Sequence, residues 1–305
     1  MRGHVLPLLG VVCLVAAFDA CVAGDFAVPP FFRALQLTSP PTNGTDVFIL
    51  QNLLRRVAPK FKDLPTDSSF GSATAKALLE LQLRSHLPGT GVLDAASARA
   101  VLEQLSEDGY VDDGRTAGEQ GYLYKVFIPV YRNRSIETEG SLFNAAGQHV
   151  LNFTARTHGI VFGGNNTWPS FNSSGFGLNA FSSSGNTPTG LFKLDLNSPE
   201  DIPREFGPYP VNRVVQGLAG NGAWLVPNIR DGLLIHTGEW AQYSSWHPPL
   251  PMPNSHGCIH TWPHSVYDIW QRLTLDMGVK VRPNTNGALP YPYKSQGLLS
   301  VQLMD

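Results

Sequence analysis

The sequence predicts an α+β multidomain protein, with a small three-helix domain near the N-terminus and a larger, mostly β, sandwich-like domain after it. The 305 residues are ample for two domains. Between residues 46 and 105 apolar residues recur at intervals of three and four, which is the period of an amphipathic helix. Between residues 121 and 283 short apolar runs alternate with Gly, Pro and Asn, which is typical of strands joined by turns.

Residues 1–23 have the pattern of a cleaved signal peptide. Arg2 precedes an apolar run over 5–17, and Ala23 offers a small residue at the cleavage point. The run is too short to cross a bilayer, so we expect export without a transmembrane anchor, to the extracellular space or the cell wall. A lipoprotein attached at Cys21 is the alternative.

The amino-acid composition bears on the binding partners and on the cellular compartment of the protein. The net charge of −2 and the absence of basic runs argue against nucleic acid. Of the three cysteines only Cys258 would survive signal cleavage, so a secreted chain would keep one thiol and no internal disulfide. Five glycosylation sequons hint at a eukaryotic secretory route, at Asn43, Asn133, Asn152, Asn165 and Asn172.

The helical pattern begins after a predicted linker over residues 24–45. A first helix starts at Asp46 and ends before Pro59, and a second carries Ala73, Ala77 and Leu81 on one side. Asp94 is expected to cap a third helix that runs to Leu105. The acidic, Gly-containing residues 106–120 are predicted to be a second linker.

The β-rich part is predicted to end in one helix, opened by Pro263 and ended by Gly278. Residues 163–186 are rich in Gly, Ser and Asn, and are predicted to be either a long loop near the functional site or a solvated, glycosylated insertion. Residues 284–305 are predicted to be a tail without assignable chemistry. The expected strands are 122–131, 148–154, 158–162, 190–196, 224–226, 232–236 and 279–282.

The candidate catalytic residues lie at the end of one predicted strand and at the end of the loop that follows it. An apolar strand pattern delivers His236, and a Pro-rich loop returns to Ser255-His256-Gly257-Cys258. A free thiol has a pKa of about 8.5, so it needs a base to act as nucleophile at neutral pH. His236 and His256 are both candidates, the first from a neighbouring strand and the second on the same face as Cys258. Gly257 permits close backbone approach to a developing oxyanion.

A zinc site is the competing interpretation of these residues. His256, Cys258 and His260 alternate along one strand face, but no second cysteine or distant ligand pair completes a tetrahedral set. We therefore expect neither a metal nor another cofactor.

Two motifs together resemble the L,D-transpeptidase (YkuD-type) catalytic domain. They are His236 followed after residues 237–254 by Ser255-His256-Gly257-Cys258-Ile259, and the upstream Asn186-Thr-Pro-Thr-Gly190 before a strand. The resemblance implies that Cys258 is the nucleophile and His236 the general base and acid. It also implies that a carbonyl near Thr237 or Gly238 orients the imidazole, and that the Gly257 and Cys258 amides form the oxyanion hole.

The resemblance implies a substrate wall as well. The loop over 239–254 would be a lid, with Trp240 as the best candidate contact and anchoring of the loop as an equal alternative. Ser255, Thr237 and His260 would lie on the substrate side. The family usually has Arg or Asn at the position of His260, which leaves the role of that residue open.

The helical segment resembles the small peptidoglycan-binding domain of three helices. The matching residues are Leu50, Gln51, Leu54, Asp67, Phe70, Gly71, Thr74, Ala77, Leu81, Gln82 and Gly91 to Asp94. Peptidoglycan is therefore the expected partner of both domains.

These resemblances imply an exported cysteine acyltransferase that acts on peptidoglycan stem peptides and makes 3→3 cross-links. An L,D-carboxypeptidase or endopeptidase uses the same nucleophile with water as acceptor. A wall-binding protein without catalysis is the third hypothesis. The sequence leaves the acceptor, the preferred diamino acid and the oligomeric state open.

Overall fold

The computed structural model describes residues 26, 28–160, 179–243, 246–247 and 249–305. Three helices build the N-terminal domain: α1 (Thr45–Leu54), α2 (Ser72–Arg84) and α3 (Ala95–Leu105). Three more accompany the sheet: α4 (Pro203–Phe206), α5 (Gly222–Leu225) and α6 (Pro263–Gln271), which continues as a π-helical turn over Arg272–Asp276. Within the described ranges, every helix is too short or too polar to cross a membrane.

The helical domain forms because each helix buries one apolar stripe against the other two. Leu50, Leu53 and Leu54 of α1 are fully buried against Ala77 and Leu78 of α2 and Val101 of α3, in one core. Asp94 caps α3 as predicted, since its carboxylate accepts a hydrogen bond from the Ser97 amide at 2.7 Å. Such a cap contributes about 1 kcal/mol.

The predicted linker over residues 24–45 is instead part of the packed structure. Val28, Phe31 and Leu35 are fully buried, and Leu35 pairs with Leu93 through two backbone hydrogen bonds. These residues show no helical or strand period because they fill the core singly from an irregular segment. The linker prediction was therefore wrong for the described part of this segment.

Eight strands form one mixed sheet, in the order β3-β2-β1-β8-β4-β5-β6-β7. The pairs β1/β8 and β6/β7 are parallel, and the remaining neighbours are antiparallel. The predicted α+β class, with three helices preceding a strand-rich domain, is confirmed. The strands are β1 (Tyr124–Val130), β2 (Thr138–Asn144), β3 (His149–Ala155), β4 (Gly190–Asn197), β5 (Val211–Ala219), β6 (Leu234–His236), β7 (Ile259–His260) and β8 (Gly297–Leu303).

The predicted C-terminal tail holds a central strand of this sheet. β8 lies between β1 and β4, and Leu298, Leu299 and Val301 are fully buried. The tail prediction over 284–305 was wrong for these residues, and the β domain extends beyond residue 283.

Several strand predictions also need correction. Residues 224–226 lie in and just after α5 rather than in a strand, while 279–282 contribute only an isolated bridge between Asn197 and Arg282. Residues 158–160 are not in a strand, and 161–162 lie outside the described residues. β2 and β5 were missed. The predicted signal peptide over 1–23 and most of the predicted loop over 163–186 also lie outside the described residues.

The second predicted linker, residues 106–120, is held along the sheet by polar contacts. The Tyr110 hydroxyl lies 2.8 Å from the Ser300 hydroxyl of β8. Asp112 forms a mostly buried ion pair with Lys125 of β1 at 2.7 Å. This segment therefore joins the helical domain to the sheet along a defined path.

Candidate active site

The parallel pairing of β6 and β7 brings the two candidate catalytic residues to one end of the sheet. His236 is the last residue of β6 and pairs with His260, and Cys258 directly precedes β7. Strand residues two apart share a face, so Cys258 and His260 are expected to point to the same side of the sheet as His236. The spacing of neighbouring strands puts diagonal positions of this kind about 8 Å apart at Cα.

The His236 ring is held in one tautomer. Its Nδ1 lies 2.6 Å from the Thr237 carbonyl oxygen, which can only accept, so Nδ1 carries the proton and Nε2 keeps its lone pair. The ring packs against Phe206 of α4 at 5.0 Å and edge-on to His260 at 4.7 Å. Burial lowers the pKa of His236 to about 4, against the opposing effect of the Thr237 carbonyl. The imidazole is therefore neutral at pH 7, with Nε2 available as a base.

The Cys258 thiol is partly exposed and protonated at rest. Its Sγ donates to the Gly232 carbonyl oxygen at 3.6 Å. Loss of hydration raises the pKa of the thiol to about 11, while the Leu234 amide and the charge of Arg230 act in the opposite direction. Among the described residues no hydrogen bond joins the thiol to His236. The resting pair is thus a neutral thiol and a neutral imidazole.

Ser255 and Thr187 brace the nucleophile loop. The Ser255 hydroxyl donates to the Cys258 carbonyl at 2.7 Å and accepts from the Gly257 amide at 3.0 Å. Thr187, from the Thr-Pro-Thr-Gly motif, donates to the Gly257 carbonyl at 2.9 Å. Because the Gly257 amide already has a partner, its predicted place in the oxyanion hole is not supported. The Cys258 amide remains the candidate donor.

Arg230 is a site residue that the sequence analysis missed. Its guanidinium is almost fully buried and donates to four carbonyl oxygens, those of Ala180 (2.6 Å), Asn186 (3.2 Å), Gly185 (3.0 Å) and His256 (3.1 Å). It thereby ties the segment before the Thr-Pro-Thr-Gly motif to the nucleophile loop. Gly257 has φ +104°, and a Cβ there would overlap this guanidinium. The only sequence signal is an arginine, followed directly by Asp231, shortly before an apolar strand.

The other predicted site residues are held by packing or by polar contacts within the protein. His256 is exposed, and its Nδ1 lies 3.0 Å from the Ser184 hydroxyl. His260 is buried, with Nδ1 2.8 Å from the Pro253 carbonyl oxygen, and its ring contacts Trp240 at 4.8 Å. Trp240 is only 3 % exposed and also packs on Trp262, which favours the anchoring alternative over a substrate contact.

Thr237 is also buried, and it acts on the site through its carbonyl oxygen rather than through its side chain. Within the described ranges, no group of three or more His, Cys, Asp or Glu side chains is arranged to hold a metal ion.

Comparison with known families assigns both domains. Residues 146–282 match the family model of the L,D-transpeptidase catalytic domain, YkuD. The chain contains a YkuD-type L,D-transpeptidase catalytic domain. Residues 43–101 match the family model of a peptidoglycan binding domain. The L,D-transpeptidase match holds both His236 and Cys258, while β1, β2 and β8 of the same sheet lie outside it.

Solved structures and curated proteins add little. A fused Zn-dependent amidase/peptidase/peptidoglycan-binding protein from Clostridium acetobutylicum aligns at 13% identity and TM-score 0.24, over 88% of this chain and 99% of its own. An L,D-transpeptidase (Yku) from Stackebrandtia nassauensis aligns at 12% identity and TM-score 0.29, over 86% of this chain and 96% of its own. No curated protein matches the chain.

Proposed function

We propose that this protein is an exported cysteine acyltransferase that cross-links peptidoglycan stem peptides. The Cys258 sulfur attacks the carbonyl carbon of the third stem residue, and the amide bond to the terminal D-alanine breaks. His236 accepts the thiol proton at Nε2 and returns it to the leaving amine. The amine of a second stem then attacks the thioester, which forms the 3→3 amide and regenerates the thiol.

The fixed tautomer of His236 is the observation that carries this proposal. A hydrogen bond to the Thr237 carbonyl from Nδ1 leaves the only free lone pair of the ring at Nε2. The base is therefore oriented before substrate arrives, and the parallel register of β6 and β7 supports a position of the imidazole on the same side of the sheet as Cys258. The sulfur would have to leave the Gly232 carbonyl, to which it now donates, in order to approach Nε2.

The resting protonation states define how the thiol is activated. With a thiol pKa of about 11 and an imidazole pKa of about 4, the ion pair is strongly disfavoured in the free enzyme. Proton transfer must therefore accompany the attack rather than precede it. As the proton leaves, the Leu234 amide and the charges of Arg230 and Arg213 favour the negative charge that develops on the sulfur.

Product analysis tests the reaction. The full chain is incubated with a disaccharide-tetrapeptide, and the products are weighed by mass spectrometry. We expect a cross-linked dimer, whereas a tripeptide alone would indicate a hydrolase that uses water as acceptor. Unchanged tetrapeptide would reject catalysis and favour a wall-binding protein.

Two variants identify the groups involved. Cys258→Ala should abolish product because no thioester can form. His236→Asn keeps a donor for the Thr237 carbonyl but lacks the Nε2 lone pair, so it should fold normally and turn over far more slowly. Full activity of His236→Asn would overturn the assignment of the base and direct attention to His256.

Export and wall binding complete the proposal. Residues 1–23 would be removed on secretion, which N-terminal sequencing of the secreted protein checks. A mature chain that still begins at Met1 would contradict this. The helical domain would hold the enzyme on its polymer, and the Cys258→Ala chain should accordingly sediment with insoluble peptidoglycan.

A further inference from the structure

Three asparagines that the proposed mechanism does not use lie in the acceptor triplet for N-linked sugars, which is Asn-x-Ser/Thr without proline in the middle. The triplets are Asn43-Gly-Thr45, Asn133-Arg-Ser135 and Asn152-Phe-Thr154. The sequence holds five of them, whereas its 17 asparagines and its 39 serines and threonines would give about two by chance. The remaining two, at Asn165 and Asn172, lie outside the described residues.

All three side chains are exposed, which a folded glycoprotein requires. An oligosaccharide is bulky and polar, and a packed core has no space for it, so only a side chain that reaches solvent can hold one. Of the 14 asparagines in the described ranges five are exposed, and three drawn at random would all be exposed in about one draw in 36. The triplets therefore occur where the folded chain can accommodate sugar.

The buried asparagines show the converse. Within the described ranges they are Asn52, Asn197, Asn212 and Asn221. Each is followed by residues that do not complete an acceptor triplet. A sugar on any of these four side chains would prevent the core from closing, and the sequence offers no acceptor there.

The hydrogen bonds of the three exposed side chains leave each amide nitrogen a hydrogen to lose. An Asn side chain has two N–H donors, and attachment of a sugar replaces one of them. Asn43 uses one donor, to the Pro41 carbonyl oxygen at 2.8 Å, and Asn152 uses one, to the Glu139 carboxylate at 2.9 Å. Asn133 accepts from the Ser135 amide at 3.1 Å through Oδ1, and its Nδ2 makes no hydrogen bond in the described part of the chain.

We propose that Asn43, Asn133 and Asn152 are N-glycosylation sites that hold oligosaccharides in the mature protein. The inference rests on the export part of the proposed function, because the sugar donor acts in a secretory compartment. That donor is an oligosaccharide joined to a lipid pyrophosphate. The side-chain nitrogen bonds to the anomeric carbon, the bond from that carbon to the pyrophosphate oxygen breaks, the nitrogen loses one proton, and the lipid pyrophosphate leaves.

Secretion of the full chain from cultured eukaryotic cells tests the proposal. The secreted protein is treated with peptide-N-glycosidase in heavy-oxygen water, which converts each glycosylated Asn to a labelled Asp, and its peptides are mapped by mass spectrometry. We expect the label at all three positions. A secreted chain without label at these positions would overturn the proposal, and label at only some of them would refute the unlabelled sites.

Variants show which triplet holds which sugar. Asn43→Gln, Asn133→Gln and Asn152→Gln should each remove one glycan, visible as one step of faster migration on a denaturing gel. Asn228→Gln is the matched control, because Asn228 is exposed but outside any triplet, and it should leave the number of glycans unchanged. An unchanged number in the three site variants would refute the sites. If a variant is not secreted, the label map of the unmodified chain still decides.

The third position of the triplet gives an independent test that keeps the acceptor side chain. Thr154→Ala should remove the label from Asn152, whereas Thr154→Ser should keep it, because the triplet needs a hydroxyl group at that position. Equal labelling of Asn152 in both variants would contradict its use as an N-glycosylation site.

A second chain separates this inference from the proposed export. In it a known secretion leader replaces residues 1–23, so the chain enters the secretory compartment whatever its own N-terminus does. Label in this chain, with no secretion of the unmodified one, would keep the sites and reject the export signal. Removal of residues 1–23 without any label would keep export and reject the sites.

Discussion

Replacing Arg230 tests how the catalytic loop is held. Arg230→Met keeps most of the aliphatic stem but removes the donors to the four carbonyl oxygens of Ala180, Gly185, Asn186 and His256. A buried acceptor left without a donor costs about 1–3 kcal/mol, and the three acceptors that are only partly buried can regain water. We therefore expect the free energy of unfolding to fall by about 2 kcal/mol, the cost of the one fully buried carbonyl that loses its donor.

The same substitution should also slow alkylation of the Cys258 thiol. Removing the guanidinium withdraws a charge that lowers the pKa of Cys258, so the thiolate fraction at a given pH should fall. A rise of one pKa unit corresponds to a tenfold smaller fraction well below the pKa. Arg230→Lys should recover part of this effect, because an ammonium group keeps the charge but cannot reach all four carbonyls.

Urea unfolding and iodoacetamide alkylation of Cys258 against pH measure the two effects. Arg272→Met is the matched control, since Arg272 is largely exposed and forms only a surface ion pair with Asp276. A loss of unfolding free energy below about 1 kcal/mol in Arg230→Met would be no more than an ordinary surface substitution causes. That result, together with an unchanged alkylation profile, would refute the bracing role of Arg230.

Three further predictions follow from single contacts. Gly257→Ala should destabilise by about 2 kcal/mol or more in urea unfolding, because its positive φ and its overlap with Arg230 both oppose a Cβ; Gly109→Ala, also at positive φ but in open space, should cost less. Lowering the pH from 7 to 4 should remove about 3 kcal/mol of stability through His236, since the unfolded state protonates below pH 6.5 while the folded state does so only near pH 4. His236→Asn should shrink that pH dependence, and an identical loss in both proteins would contradict it. Asp94→Ala should lower the melting temperature in line with a loss of about 1 kcal/mol, and an unchanged value would mean that the α3 cap is dispensable.

Local features of the fold could be predicted because their determinants are close in sequence. α3 has a capping Asp94 and an apolar stripe within one short segment. β6 ends at His236 because three apolar residues precede a polar loop. The His236 and Cys258 motifs are equally local, and a family match covers both.

Features that depend on distant partners could not be predicted. β8 is a strand because β1 and β4, far earlier in the chain, offer it two edges. Phe31 and Leu35 follow no period, since each fills a separate space in the helical core. Arg230 was missed because its partners are main-chain carbonyls, which have no sequence signature, so a buried arginine looks like a surface one.

The role of Cys258 as acylated nucleophile is tested most directly by rapid quenching of the reaction with a tetrapeptide stem, followed by peptide mapping. We expect the tripeptide acyl group as a mass increment on the peptide that contains Cys258, released D-alanine in equal amount during the first turnover, and neither in Cys258→Ala. Product formation without any adduct on Cys258, or an adduct that persists in Cys258→Ala, would contradict the account.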